Sequence, residues 1–164
     1  MYVDIQSHRP IAQRETNELH DVLCEFNACL LITTMGGNSL WSLGPGGKQD
    51  NKLQRLTFPT GMALDEDRFA IGFNRMVGVY AKASLFDLPE HKEKLSVAPD
   101  YLLQTTYYIG YMFLHDLQFG AKALWAVNTR YSCLMNLLDE SPFRPAWKPH
   151  FISEYRPEDR CHLN

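Results

Sequence analysis

Gly61-Met62-Ala63-Leu64, an acidic turn through Asp65, Glu66 and Asp67, Phe69-Ala70-Ile71, Asn74-Arg75 and the run Met76-Val77-Gly78-Val79-Tyr80-Ala81 form the stretch on which the fold turns. Short apolar runs rich in β-branched and aromatic residues, divided by Asp, Asn and Gly, are the pattern of strands joined by tight turns. Moving outward, a second stretch follows the same scheme: His115-Asp116-Leu117-Gln118, a Gly120-Ala121-Lys122 turn, Leu124-Trp125-Ala126-Val127, Thr129-Arg130, then Tyr131-Ser132-Cys133-Leu134. The offset is 54 or 55 residues, from Gly61 to His115 and from Arg75 to Arg130. A shorter third copy is the hairpin from Leu30 to Leu43, where Cys29-Leu30-Leu31-Ile32-Thr33-Thr34 and Ser39-Leu40-Trp41-Ser42-Leu43 flank Gly36-Gly37-Asn38. Units of three or four strands repeating at this period are what propeller blades look like, since each small sheet must stack on its neighbours to bury its faces. The expected fold is therefore all-β with one N-terminal helix, an incomplete β-propeller of about two to three blades of antiparallel strands. A β-sandwich or an open meander is the alternative.

The remaining segments fit round this frame. Thr16 to Asn27 predicts a helix, with Leu19, Val22, Leu23 and Phe26 as an apolar stripe for the following sheet, Thr16 as cap, and His20 and Cys24 as packed residues. Residues 1–28 then form an N-terminal helical segment and 29–164 the partial propeller domain. Leu53-Gln54-Arg55-Leu56-Thr57-Phe58 and Tyr101 to Tyr111 read as strands. Gly44-Pro45-Gly46-Gly47 is a turn, because no Gly-Lys-Ser/Thr ending and no helix follow it. Ser84 to Asp100, with His91 among charges, reads as a solvated loop. Pro142 to Pro149 reads as irregular, pinned by Phe143 and Trp147, with a proline-rich docking segment as the weaker alternative.

With 164 residues, 45% hydrophobic and 12% aromatic, the chain can bury an ordinary core. A net charge of −3 and a pI near 6.0, with dispersed basic residues, argue against nucleic acid or an anionic membrane as partner. Cys24, Cys29, Cys133 and Cys161 include no Cys-x-x-Cys pair, so reduced thiols in a cytoplasmic protein are expected. Residues Met1 to Arg14 lack the apolar core of a secretory signal, and no run reaches the length of a membrane span.

Phe58-Pro59-Thr60-Gly61-Met62-Ala63-Leu64-Asp65 resembles the opening of blades in NHL-repeat and gluconolactonase-like propellers. From about Cys29 onward the chain resembles the N-terminal part of a family of conserved hypothetical proteins, defined as a domain of unknown function and taken to form a propeller. The residues that carry this resemblance include Leu114-His115-Asp116-Leu117, Leu124 to Leu134, Pro142 to Pro149, Phe151-Ile152-Ser153 and Pro157-Glu158-Asp159-Arg160-Cys161-His162-Leu163-Asn164. Relatives of that kind continue beyond the His-Leu-Asn with further blades, which implies that the chain is a fragment and that remaining blades of a longer protein complete it. One departure stands at Gly110-Tyr111-Met112-Phe113-Leu114, where the family tends to carry acids near Tyr111 and Phe113. If those acids bind a ligand in relatives, that function is altered here.

The alignment of copies places His115 and His162 at the starts of inner strands of neighbouring blades, directed to the central channel where propellers put sites. Two imidazoles with Asp116 or Asn164 nearby are part of a coordination sphere for a divalent metal, the candidate cofactor. The competing reading has each histidine satisfying backbone groups between blades. Asn128 and Arg130 are ligand-binding candidates at a strand end. Arg130 suits a carboxylate or phosphate in bidentate fashion, or an ion pair with Glu158 or Asp159 that ties two blades together. Cys133 and Cys161 lack an activating neighbour in sequence. The expected function is a module that binds a small molecule or a protein through its central face. The second reading is a metal-dependent propeller hydrolase or oxidoreductase with inner-strand histidines as ligands.

Overall fold

A computed structural model of the chain describes residues 17–46, 51–82, 101–138 and 141–164. The elements are α1 (Asn17–Glu25), β1 (Leu30–Thr34), β2 (Ser39–Leu43), β3 (Lys52–Arg55), β4 (Met62–Leu64), β5 (Arg68–Gly72) and β6 (Met76–Lys82). They are followed by β7 (Tyr101–Tyr108), β8 (Leu114–Phe119), β9 (Leu124–Asn128), β10 (Cys133–Leu138) and β11 (Ser141–Trp147). The strands make three antiparallel sheets, β1-β2-β3, β4-β5-β6-β7 and β8-β9-β10-β11. In each sheet strands consecutive in the chain are neighbours. The expected Thr16 cap, Gly47, the 84–100 loop with His91, and the Phe143 side chain lie outside what is described. Contacts divide the chain into two compact units, one ending at Leu56 and the other Thr57–Asn164.

In the first unit α1 is closed by Asn27, two residues past its end, whose φ of 45° is left-handed. The amides of Asn27 and Ala28 donate to the carbonyls of Cys24 and Leu23 at 3.1 and 2.9 Å, a Schellman close that satisfies the last helical carbonyls. Of the expected apolar stripe only Leu23 is buried; Val22 is 50% and Phe26 71% exposed. The expected β1–β2 hairpin forms, with Leu30 opposite Leu43 and Thr34 opposite Ser39. Asn38, with φ 48°, makes its reversal, and its amide bonds the Met35 carbonyl at 3.2 Å.

The second unit contains the two longer copies of the repeat. Met62 pairs with Ile71 in one sheet and Leu117 with Ala126 in the other, equivalent positions 55 residues apart. Period-two alternation gives each sheet an apolar face. Ala63, Ala70, Val77 and Val79 of one sheet share a core with Leu117, Leu124, Ala126, Met135 and Leu137 of the other. The close approach is at Gly61. A Cβ there would stand 2.8 Å from both the amide nitrogen and carbonyl carbon of Asp116, and nearer still to its Cα, so only glycine lets the backbones meet. The segment read as irregular, Pro142 to Pro149, contains a strand. Among the described residues β11 is an edge that pairs with β10 alone, and the ladder shifts between Leu134 and Met135 and between Asn136 and Leu138. An edge with such irregularities can carry Pro142 and Pro145, which have no amide to donate.

Candidate functional site

The site is built on the turn between β9 and β10. Asn128 ends β9 fully buried; its side-chain carbonyl accepts the Tyr131 amide at 3.1 Å, and its side-chain amide donates to the sulfurs of Met112 and Met135 at 3.1 and 3.2 Å. A left-handed Ser132, φ 52°, completes the reversal. On one side the turn grips the segment just before β8: the amides of Thr129 and Arg130 donate to the carbonyls of Phe113 and Met112 at 3.1 and 3.3 Å. On the other side it grips the C-terminal segment. The Asp159 amide donates to the Arg130 carbonyl at 2.9 Å, and the Thr129 hydroxyl donates to the Leu163 carbonyl. The same bond closes the preceding copy, where the Ile109 amide donates to the Arg75 carbonyl at 3.0 Å.

This clamp brings His115 and His162 together, although they come from well-separated segments. Their ring centres are 5.1 Å apart with planes inclined at 70°. His115 is the second residue of β8, as expected for a strand start. His162 is not on a strand: the 148–164 segment is irregular, and φ values of 48° at Asp159 and 43° at His162 turn it away from an extended path. The His162 side chain is 65% exposed, and its Nδ1 lies 2.8 Å from the Asp159 carboxylate. An ionised carboxylate only accepts, so Nδ1 is the donor in this bond.

Arg130 lies at the same turn. Its guanidinium donates to the Tyr111 carbonyl at 3.2 Å and sits 5.1 Å from the centre of the Tyr111 ring, which meets the Phe113 ring at 4.4 Å with the planes tilted by 58°. Among the described residues it makes no ion pair with Glu158 or Asp159; Glu158 pairs with Arg156 and Arg160, and Asp159 with His162. The tie between turn and tail runs instead through the Arg130 carbonyl and the Thr129 hydroxyl. Asp116 is exposed, with its carboxylate accepting the Leu117 amide at 2.9 Å, and Asn164 is exposed beyond the clamp. Sequence reasoning placed Asp159 opposite Arg130 and missed it as the partner of His162, although its spacing three residues before the histidine was the available signal. The grip of Thr129 on Leu163 had no local signal at all.

Cys133 is buried beneath this turn, and burial pushes its thiol up to about 11. Among the described residues no three His, Cys, Asp or Glu side chains converge on a common point suited to a metal ion. A groove of about 210 Å³ lies on the outer face of the third sheet, lined by Gln118, Trp125, Val127 and Leu134 with Asp116 at its rim.

Fold and site together define a mostly β protein of three small antiparallel sheets with one short helix, in which a polar strand turn anchors two histidines. The model of a family described as a domain of unknown function, DUF4915, matches residues 17–164, and the chain belongs to that family. No curated protein and no solved structure matches it. No helix among the described residues is long and apolar enough to cross a membrane.

Proposed function

We propose that the chain is a propeller-like binding module of blades within 29–164, which recognises a small anionic molecule, or an acidic group on a protein, beside the β9–β10 turn. The observation that carries this reading is the meeting of His115 and His162 at 5.1 Å, with Asp159 fixing one ring and Arg130 set in the same clamp. Guanidinium N–H groups, and an imidazole that carries a proton on both ring nitrogens, are donors that suit carboxylate oxygens. Asn128 serves the site by shaping the turn, while Asp116 and Asn164 are polar groups at its margins.

The blade arrangement is supported by the repeated meander and by the outer face of the third sheet. There Val127, Leu134 and Trp147 form a cross-strand row beside Trp125, opposite a face that is already core. A sheet apolar on both faces suits a stack of layers. No observation favours a hydrolase or oxidoreductase over binding.

The test is thermal and NMR titration of the whole chain with succinate and citrate. Saturable stabilisation that disappears in His162→Ala and weakens in Arg130→Gln is the expected result. Absence of any saturable effect, or an equal effect in His162→Ala, overturns the reading.

A further inference from the structure

We propose that the anion bound beside the β9–β10 turn is an aromatic carboxylate, whose ring packs on Tyr111 and Phe113 while its carboxylate meets the guanidinium of Arg130. The proposal rests on the binding reading above and names the ligand class of that site. The platform lies between β7 and β8, in the segment that the amides of Thr129 and Arg130 hold against the turn. Tyr111 and Phe113 are both exposed, and their ring centres are 4.4 Å apart with planes tilted by 58°. They present ring surface to solvent next to a cation, since the Arg130 guanidinium stands over the Tyr111 ring at 5.1 Å from its centre. A ligand ring gains from both neighbours: rings attract one another offset or edge to face, and a guanidinium is attracted to a ring face.

The backbone separates Phe113 from ordinary packing. Its φ is 49°, and Phe58, one copy earlier, has a φ of 54°. The 55 residues between them are the offset that relates Met62 to Leu117, so both phenylalanines hold the same place in the repeat. Glycine or asparagine meets such a left-handed turn with less strain than a bulky side chain. Core burial does not offset that strain, because Phe113 is 41% and Phe58 44% exposed. Strained residues of this kind gather at ligand contacts, and at Phe113 the ring stands beside a second exposed ring and a fixed cation.

Arg130 is equipped for the carboxylate. One of its N–H groups donates to the Tyr111 carbonyl at 3.2 Å, which orients the side chain, and among the described residues it makes no ion pair. A guanidinium has five N–H donors, so enough remain for a bidentate contact. An aliphatic dicarboxylate would engage the guanidinium and leave the ring platform empty; an aryl group a bond or two from its carboxylate fills both.

The test is calorimetric and NMR titration of the whole chain with phenylacetate, with its saturated counterpart cyclohexylacetate, and with succinate. The two monoacids carry the same charge and nearly the same bulk, so their difference isolates the aromatic ring. Phenylacetate is expected to bind about 3- to 10-fold more tightly than cyclohexylacetate, with NOEs from its ring protons to those of Tyr111 and Phe113. Phe113→Gly, which suits the left-handed backbone, and Tyr111→Leu should each bring the two affinities together, and Arg130→Gln should weaken both acids alike. Thermal melts establish that each variant is folded, and the wild-type preference and NOEs depend on no variant. Equal affinity for the two monoacids, NOEs to other residues alone, or a preference that survives in both Phe113→Gly and Tyr111→Leu overturns the proposal. Saturable succinate binding without an aromatic preference removes the ligand class and leaves the binding reading intact; no saturable binding of any of the three acids removes both.

Discussion

At the scale of single residues, buried groups under the β9–β10 turn have consequences that can be measured. Cys133 is inaccessible and its thiol is raised from an ordinary 9.0 to about 11, so the folded chain favours the neutral form. The sign follows directly: between those values the unfolded chain has lost the proton and the folded chain keeps it. Stability is therefore complete below pH 9 and falls above it, by up to about 1.4 kcal/mol per pH unit. Urea melts at pH 8 and 10.5 should show this drop, and Cys133→Ala should reduce it. Asn128→Ala removes the carbonyl that holds the turn and should cost about 1–3 kcal/mol. Cys133 and Asn128 were visible in the sequence as residue types beside a strand. The lack of an activating neighbour already favoured an inert thiol at Cys133, whereas the bracing role of Asn128 follows from its burial and partners, which a local pattern does not encode.

At the scale of elements, the hairpin between β4 and β5 and its approach to β8 set the geometry of the second unit. Partial burial works to raise the Asp65 carboxyl, but hydrogen bonds from the Arg68 guanidinium and the Arg68 and Asp67 amides outweigh it and hold the group below its ordinary 3.8. A depressed carboxyl lends stability above 3.8 that is lost as pH falls through the lower folded value. Since the pair is solvent-exposed, the effect is small. Asp65→Asn should flatten the acid limb of the stability profile, as measured by denaturant melts from pH 5 to 2.5. Gly61→Ala should be more severe, about 1–3 kcal/mol, because its Cβ meets the Asp116 backbone rather than a movable side chain. Strand alternation and the acidic turn were legible along the chain. β11 was not, since two prolines argue against a strand unless it is known to lie at an edge.

At the scale of the whole molecule, the outer face of the third sheet is the feature with a measurable surface property. Trp147 is 50% exposed and Trp125 flanks the groove. The double variant Trp125→Gln with Trp147→Gln should bind markedly less hydrophobic dye than the wild type. The melting free energy should move little, since side chains on a solvent face contribute mainly within about 0.5 kcal/mol each. A large loss of stability would mean that these indoles pack within the fold.

The sequence by itself determined the β character, the hairpin at Leu30–Leu43, and the repeated meander at an offset near 55 residues, because alternation and turn chemistry are local properties written residue by residue. It also placed His115 at a strand start. Only the tertiary structure decided that His162 leaves the strand path, takes Asp159 as its partner and meets His115, and that Arg130 turns to Tyr111. Those relations depend on a turn reaching to two segments through backbone hydrogen bonds and the Thr129 hydroxyl, and the carbonyl and amide groups involved are the same at every position of the chain.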